Sequence, residues 1–158
     1  MKENSILRPY GTRADFLALA TWVLGIGIRI WTAWAGRCLS EPDPGVVGLM
    51  ARHMAEWKEF PVFFYGQAYM GSLEPMASAL MVRLLGSSGF AVGLGTTLFA
   101  ALALFFLWRW ARDAAGPWGG FSAMLAGVFG PLVYFHFQSL PRGGYMVALA
   151  VDACVLWA

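Results

Sequence analysis

Nine of the chain's twenty charged side chains fall between Gly36 and Gly89, in a segment set between long apolar runs. Polar groups in such a setting are costly and usually serve a purpose. Asp43 follows Glu41-Pro42 and precedes Pro44, a context in which a carboxylate can accept bonds from the open amides of a helix start. The same carboxylate can act as a general base or a metal ligand. Downstream, Phe60-Pro61-Val62-Phe63-Phe64-Tyr65-Gly66-Gln67-Ala68-Tyr69-Met70-Gly71-Ser72-Leu73-Glu74-Pro75 combines aromatic faces, an amide and a carboxylate with two glycines. Aromatic faces with amide and carboxylate hydrogen bonding suit a sugar, and the glycines permit unusual backbone angles or close approach. Arg142, in Leu140-Pro141-Arg142-Gly143-Gly144-Tyr145, carries a fork that pairs with phosphate or carboxylate.

Each of these residues also has a purely structural counterpart. Asp43 can be a helix cap, Tyr65 and Tyr69 can anchor in an aromatic belt, Glu74 can sit at a helix N-terminus, and Arg142 can meet lipid headgroups. The two histidines, His53 and His136, and the two cysteines, Cys38 and Cys154, have neither zinc-ligand spacing nor a disulfide framework. A net charge of +2 without a basic, aromatic-studded patch argues against nucleic acid.

The elements that must position these groups belong to a membrane. No charged residue occurs from Leu84 to Trp108 or from Ala114 to Pro141, and each run exceeds the roughly 20 apolar residues of a spanning helix. Hydrophobic residues make up 59% of the chain and mean hydropathy is +0.60, which argues against a soluble protein. The first apolar segment runs from Phe16 to Ala35, with Arg29 one turn from its end and expected to snorkel to the headgroups. Spans are expected near 15–35, 89–109 and 118–138, with a fourth from 145 that stops unfinished at 158. The chain therefore reads as the N-terminal piece of a larger protein.

Charge sets the topology. Lys2, Arg8 and Arg13 precede the first span and predict a cytoplasmic N-terminus in the cytoplasmic membrane. The stretch from Ser72 to Gly86 carries Glu74, Pro75 and Arg83 and reaches only about 22 Å as a helix, short of the roughly 30 Å hydrocarbon core. It is expected to lie at the interface, which leaves 36–88 as one external loop and returns Arg109 and Arg112 to the cytoplasmic side. Within that loop a helix is expected from Asp43 as N-cap and Pro44 as first residue. Its apolar face would be Val46, Met50, Met54 and Trp57, lying flat on the bilayer.

The order of one span, an acidic residue opening a surface helix, the FPVFFYGQAYMGSLEP segment, a short second helix and Leu84-Leu85-Gly86-Ser87-Ser88-Gly89 resembles the start of membrane-embedded GT-C glycosyltransferases. It is similar to family 39 protein O-mannosyltransferases, lipid A aminoarabinose transferases and related Rgt-type bacterial transferases. The resemblance covers about residues 10–150 and is strongest at 41–75 and at Leu140 to Tyr145. It implies an all-α polytopic fold with three full spans, a truncated fourth and two juxtamembrane helices in the first external loop.

The activity implied is inverting transfer of a sugar from a polyprenyl-phosphate donor to an extracytoplasmic lipid, glycan or protein. Asp43 matches the catalytic acid, as a base on the acceptor or an organiser of a divalent metal. Tyr65, Gln67, Tyr69 and Glu74 would line the sugar pocket, and Arg142 would meet the phosphate. Two departures stand out: Asp43 is followed by Pro44 rather than a second acid, which argues against a metal, and the later loop offers Arg142-Gly143-Gly144 instead of an acid. A non-catalytic membrane protein, either a transporter component or an inactive remnant, is the alternative.

Overall fold

The computed structural model describes residues 10–36 and 42–158, and all of its regular structure is helical except one small hairpin. The expectations for Lys2, Arg8, Cys38 and Glu41 fall outside the described residues.

Helix α1, Arg13–Trp34, opens on a capping box: Asp15 N–H donates to the Thr12 hydroxyl, and the Asp15 carboxylate accepts from the Thr12 amide. Helix α2, Pro42–Ala55, starts two residues before the expected site, because Pro42 itself takes the first helical position that proline favours. Asp43 is thus in the first turn and not the cap. The buried face of α2 is Val47, Met50, Ala51 and Met54, packed on Ala79, Val82, Ala91 and Val92, so protein rather than a bilayer covers it. Trp57, expected on that face, lies past the helix end with φ of 58° and is 68% exposed. Its ring meets Phe60 and the Arg83 guanidinium instead.

The aromatic segment forms a two-stranded antiparallel hairpin, β1 (Phe63–Phe64) and β2 (Gln67–Gly71), in which Phe64 faces Gln67 and Phe63 faces Gly71. Gly66 turns it with φ of +75°, a conformation that favours glycine. The all-helical expectation missed this element. Helix α3, Leu73–Leu85, then lies against the first turns of the next helix: the Ser78 hydroxyl donates to the Val92 carbonyl at 3.0 Å, and Gly95 admits the Ser78 backbone.

Helix α4, Gly89–Phe129, is broken at Gly116, where φ of 82° and the following Pro117 reverse the chain. Leu104 consequently packs on Met124 and Val128, and Trp108 lies beside Gly120, so the second arm runs back along the first. The expected span at 118–138 is itself interrupted. Gly130 and Pro131 separate α4 from α5, Leu132–Ser139, because proline has no N–H to continue the ladder. Helix α6, Tyr145–Trp157, packs on Ala100 and Ala103 through Met146 and Ala150.

Among the described residues, helices α1 and α4 are the two long and apolar enough to cross a membrane. Helix α1 runs antiparallel to the first arm of α4. Asp15 near the start of α1 meets Arg112 near the α4 break, and Ala33 at the end of α1 packs with Phe90 at the start of α4 and with Leu140. Both ends of the 36–88 segment therefore lie at one end of the bundle. Arg29 does not snorkel: it is 1% exposed, donates from Nη1 to the Gly25 carbonyl at 2.9 Å and from Nη2 to Gln138, and lies over the Phe135 ring.

Candidate functional site

At the Ala33 end of the bundle, the hairpin, the start of α3 and the turn at 140–144 come together. Pro75 lies in the first turn of α3, where the missing N–H costs nothing, and Glu74 beside it faces inward. Glu74 is 1% exposed. Its Oε1 accepts from the Thr96 hydroxyl at 2.7 Å, and the backbone amides of Arg142 and Gly143 approach the carboxylate. Oε2 closes no hydrogen bond of good geometry. Burial pushes this carboxyl up to about 7, against the opposing pull of the Thr96 hydroxyl and the two amides.

The turn is seated on the hairpin. Gly143 has φ of +84°, and a Cβ there would stand 2.6 Å from the Phe64 ring and 2.7 Å from Met70 Cε. Any other residue type would be strained at this φ and would have to push aside the Phe64 ring and the Met70 side chain. Arg142, half-buried, has Nη2 3.2 Å from His136 Nε2.

Beside the turn opens a groove of about 530 Å³ between β2, the start of α3 and one face of α6. Tyr69, 80% exposed, and Tyr145 bring aromatic rings to its wall, and Leu73, Val147 and Val151 make it apolar. A single carboxylate, Asp152, lines it from α6.

The predicted residues therefore divide. Glu74, Arg142 and Tyr69 gather around the turn and groove, although Glu74 is sealed from solvent and unsuited to touching a ligand directly. Gln67 is on β2, with its Oε1 buried and accepting no hydrogen bond among the described residues. Tyr65 turns the other way: its hydroxyl donates to Glu59, and His53 Nδ1 lies 3.0 Å from that hydroxyl and 2.6 Å from Glu59 Oε1. Burial and then the Glu59 carboxylate push the Tyr65 phenol up to about 12, while the Tyr65 and His53 contacts hold Glu59 below the usual range. Asp43 is half-buried in the α2 first turn and makes no hydrogen bond or ion pair among the described residues.

No group of three His, Cys, Asp or Glu side chains is gathered among the described residues, and a carboxylate-rich oxygen shell is what hard divalent ions require.

Two features escaped sequence reasoning. Asp152 is a lone charge in an apolar helix, a signal that alone marks a position for attention. The His53, Glu59 and Tyr65 cluster joins residues up to twelve positions apart across a helix end and a hairpin, and no local pattern announces it.

No protein-family model matches the chain, and no curated protein or solved structure matches it at a significant level.

Proposed function

We propose that this chain forms part of a membrane-embedded GT-C-type glycosyltransferase that moves a sugar from a polyprenyl-phosphate donor to an acceptor outside the cytoplasmic membrane. One observation carries the reading: the aromatic segment at 63–75 and the turn at 140–145 close on one apolar groove with tyrosines at its rim. An amphiphile with a prenyl tail and a sugar head needs apolar walls and ring faces of that kind.

In the reaction, an acceptor hydroxyl attacks the anomeric carbon on the face opposite the phosphate. Its proton passes to Asp43, the bond from that carbon to the phosphate oxygen breaks, and the lipid phosphate leaves with its electron pair. Arg142 offsets the phosphate charge, and Tyr69 and Gln67 hold the sugar. The protein is multi-pass, with the N-terminus cytoplasmic and the groove external.

A non-catalytic membrane component is the second reading, favoured by the commitment of Tyr65 and Glu74 to internal partners. Proteoliposomes containing the chain, given polyprenyl-phosphate donors bearing labelled hexoses or pentoses, separate the two. Release of lipid phosphate that Asp43→Asn abolishes, with membrane insertion intact, supports transfer. Release from no donor, or release that Asp43→Asn leaves unchanged, favours the second reading or reduces Asp43 to a structural residue.

A further inference from the structure

We propose that Glu74 is a positioning residue whose buried carboxylate, bonded to Thr96 and facing the Arg142 and Gly143 amides, sets the 140–144 turn and with it the groove wall at Gly144 and Tyr145.

Three observations converge on this. The carboxylate is enclosed, so among the described residues it serves the groups that bond it. Those partners come from two places far from α3 in the chain, Thr96 on α4 and the amides of the turn, so the carboxylate joins three segments. The turn has little freedom of its own, since Pro141 and Gly143 are buried and Gly143 abuts Phe64 and Met70. A shift of the amides toward or away from Glu74 must therefore move the Phe64 and Met70 side chains or the start of α6.

The charged and neutral carboxyl groups treat this turn differently. A carboxylate accepts only, and two oxygens suffice for the Thr96 hydroxyl and both amides. A neutral carboxyl has one oxygen converted to a donor, which repels an N–H that approaches it. The turn is held in the charged form and released in the neutral one. Titration near neutrality agrees with this geometry.

The ionisable groups on the surrounding elements are Asp43, Arg52 and His53 on α2, Glu59, Tyr65 and Tyr69 around the hairpin, Arg83 on α3, Arg109, Arg112 and Asp113 toward the α4 break, His136 and Arg142 around the turn, and Tyr145, Asp152 and Cys154 on α6. None adds a charge-to-charge contribution at Glu74, so burial and the three hydrogen-bond donors govern it. The inference needs only the turn geometry. Its bearing on sugar transfer rests on the reading above, and its test does not use activity.

The test places a reporter thiol at Gly144, where an added Cβ makes only ordinary contacts with Met70, in a Cys38→Ser, Cys154→Ser background. The rate of reaction with a membrane-impermeant maleimide is measured from about pH 5 to about pH 9, with and without Glu74→Gln. Taking the ratio of the two rates at each pH removes the thiol's own titration. The ratio is expected to change by at least about threefold, with its midpoint near the Glu74 titration. A flat ratio overturns the proposal. Should Glu74→Gln fail to insert, Thr96→Val serves. Loss of that donor raises the carboxyl titration, so its ratio to the parent departs from one only around neutral pH. A constant ratio in that pair overturns the proposal equally.

Discussion

Arg112 grips Asp15 with two parallel bonds, Nε to Oδ1 at 2.7 Å and Nη2 to Oδ2 at 3.1 Å, across ninety-seven residues of sequence. The side chains are 3% and 10% exposed, and the Tyr10 ring covers the guanidinium with its centroid 4.0 Å away. Asp15 also completes the α1 capping box, so one carboxylate both starts a helix and ties it to the α4 break. Near it Arg109 bonds Tyr10 and Asp113, and Asp113 accepts from Trp157 Nε1.

Removing one member of that pair strands the other. Asp15→Asn is expected to lower stability by about 3 to 5 kcal/mol, the usual cost of leaving a buried charge alone. Asp15→Leu combined with Arg112→Met is expected to cost less than Asp15→Asn. Unfolding in detergent, followed by circular dichroism, measures both; a double variant weaker than Asp15→Asn contradicts the assignment.

Gly95 sets the approach of α3 to α4. A methyl group there would sit 2.6 Å from the Ser78 backbone nitrogen and 2.7 Å from its Cα, and neither can swing aside. Gly95→Ala is expected to destabilise by about 1 to 3 kcal/mol and to loosen α3. Faster proteolysis in the 36–88 segment, with cleavage elsewhere unchanged, is the signature.

Glu74 makes stability fall with pH in a defined window. Its folded titration lies above the ordinary carboxylate value, so between about pH 4.5 and about 7 the folded state holds a proton that the unfolded state has released. The stabilisation is complete below that window and lost as pH rises through about 7. The stability difference between the parent and Glu74→Gln is expected to shrink across that range, and one that grows reverses the sign.

Single thiols at Ala68, Ala114 and Gly144, in the same cysteine-free background, report sidedness. Ala68 and Ala114 are exposed, and Ala114 is near the α4 break. An external reagent is expected to label 68 and 144 and to spare 114. Reaction at 114 from outside inverts the arrangement.

Much of this bundle was legible locally. Apolar runs outlined α1 and the first arm of α4, and the shortness of 72–86 kept α3 at one end. What escaped depended on contacts between distant residues. Arg29 looked like a headgroup anchor because Gln138 and Phe135, its partners, are over a hundred positions away. Glu74 looked like a ligand-facing carboxylate, since only folding shows that Thr96 and the 140–144 turn enclose it. Asp43, Tyr69 and Arg142 were readable as residue types, and the groove beside Tyr69 was not, because half of its wall comes from α6.

The double fastening of α1, by Asp15 to Arg112 at one end and by Ala33 to Phe90 and Leu140 at the other, bears on lipid thickness. Twenty-two helical residues make a rod about 33 Å long, close to the hydrocarbon depth of an average bilayer. A free helix of that length answers a thinner bilayer by tilting alone. This one is riveted at top and bottom to its neighbour, so short-chain lipids must tilt the whole bundle or stretch to meet it.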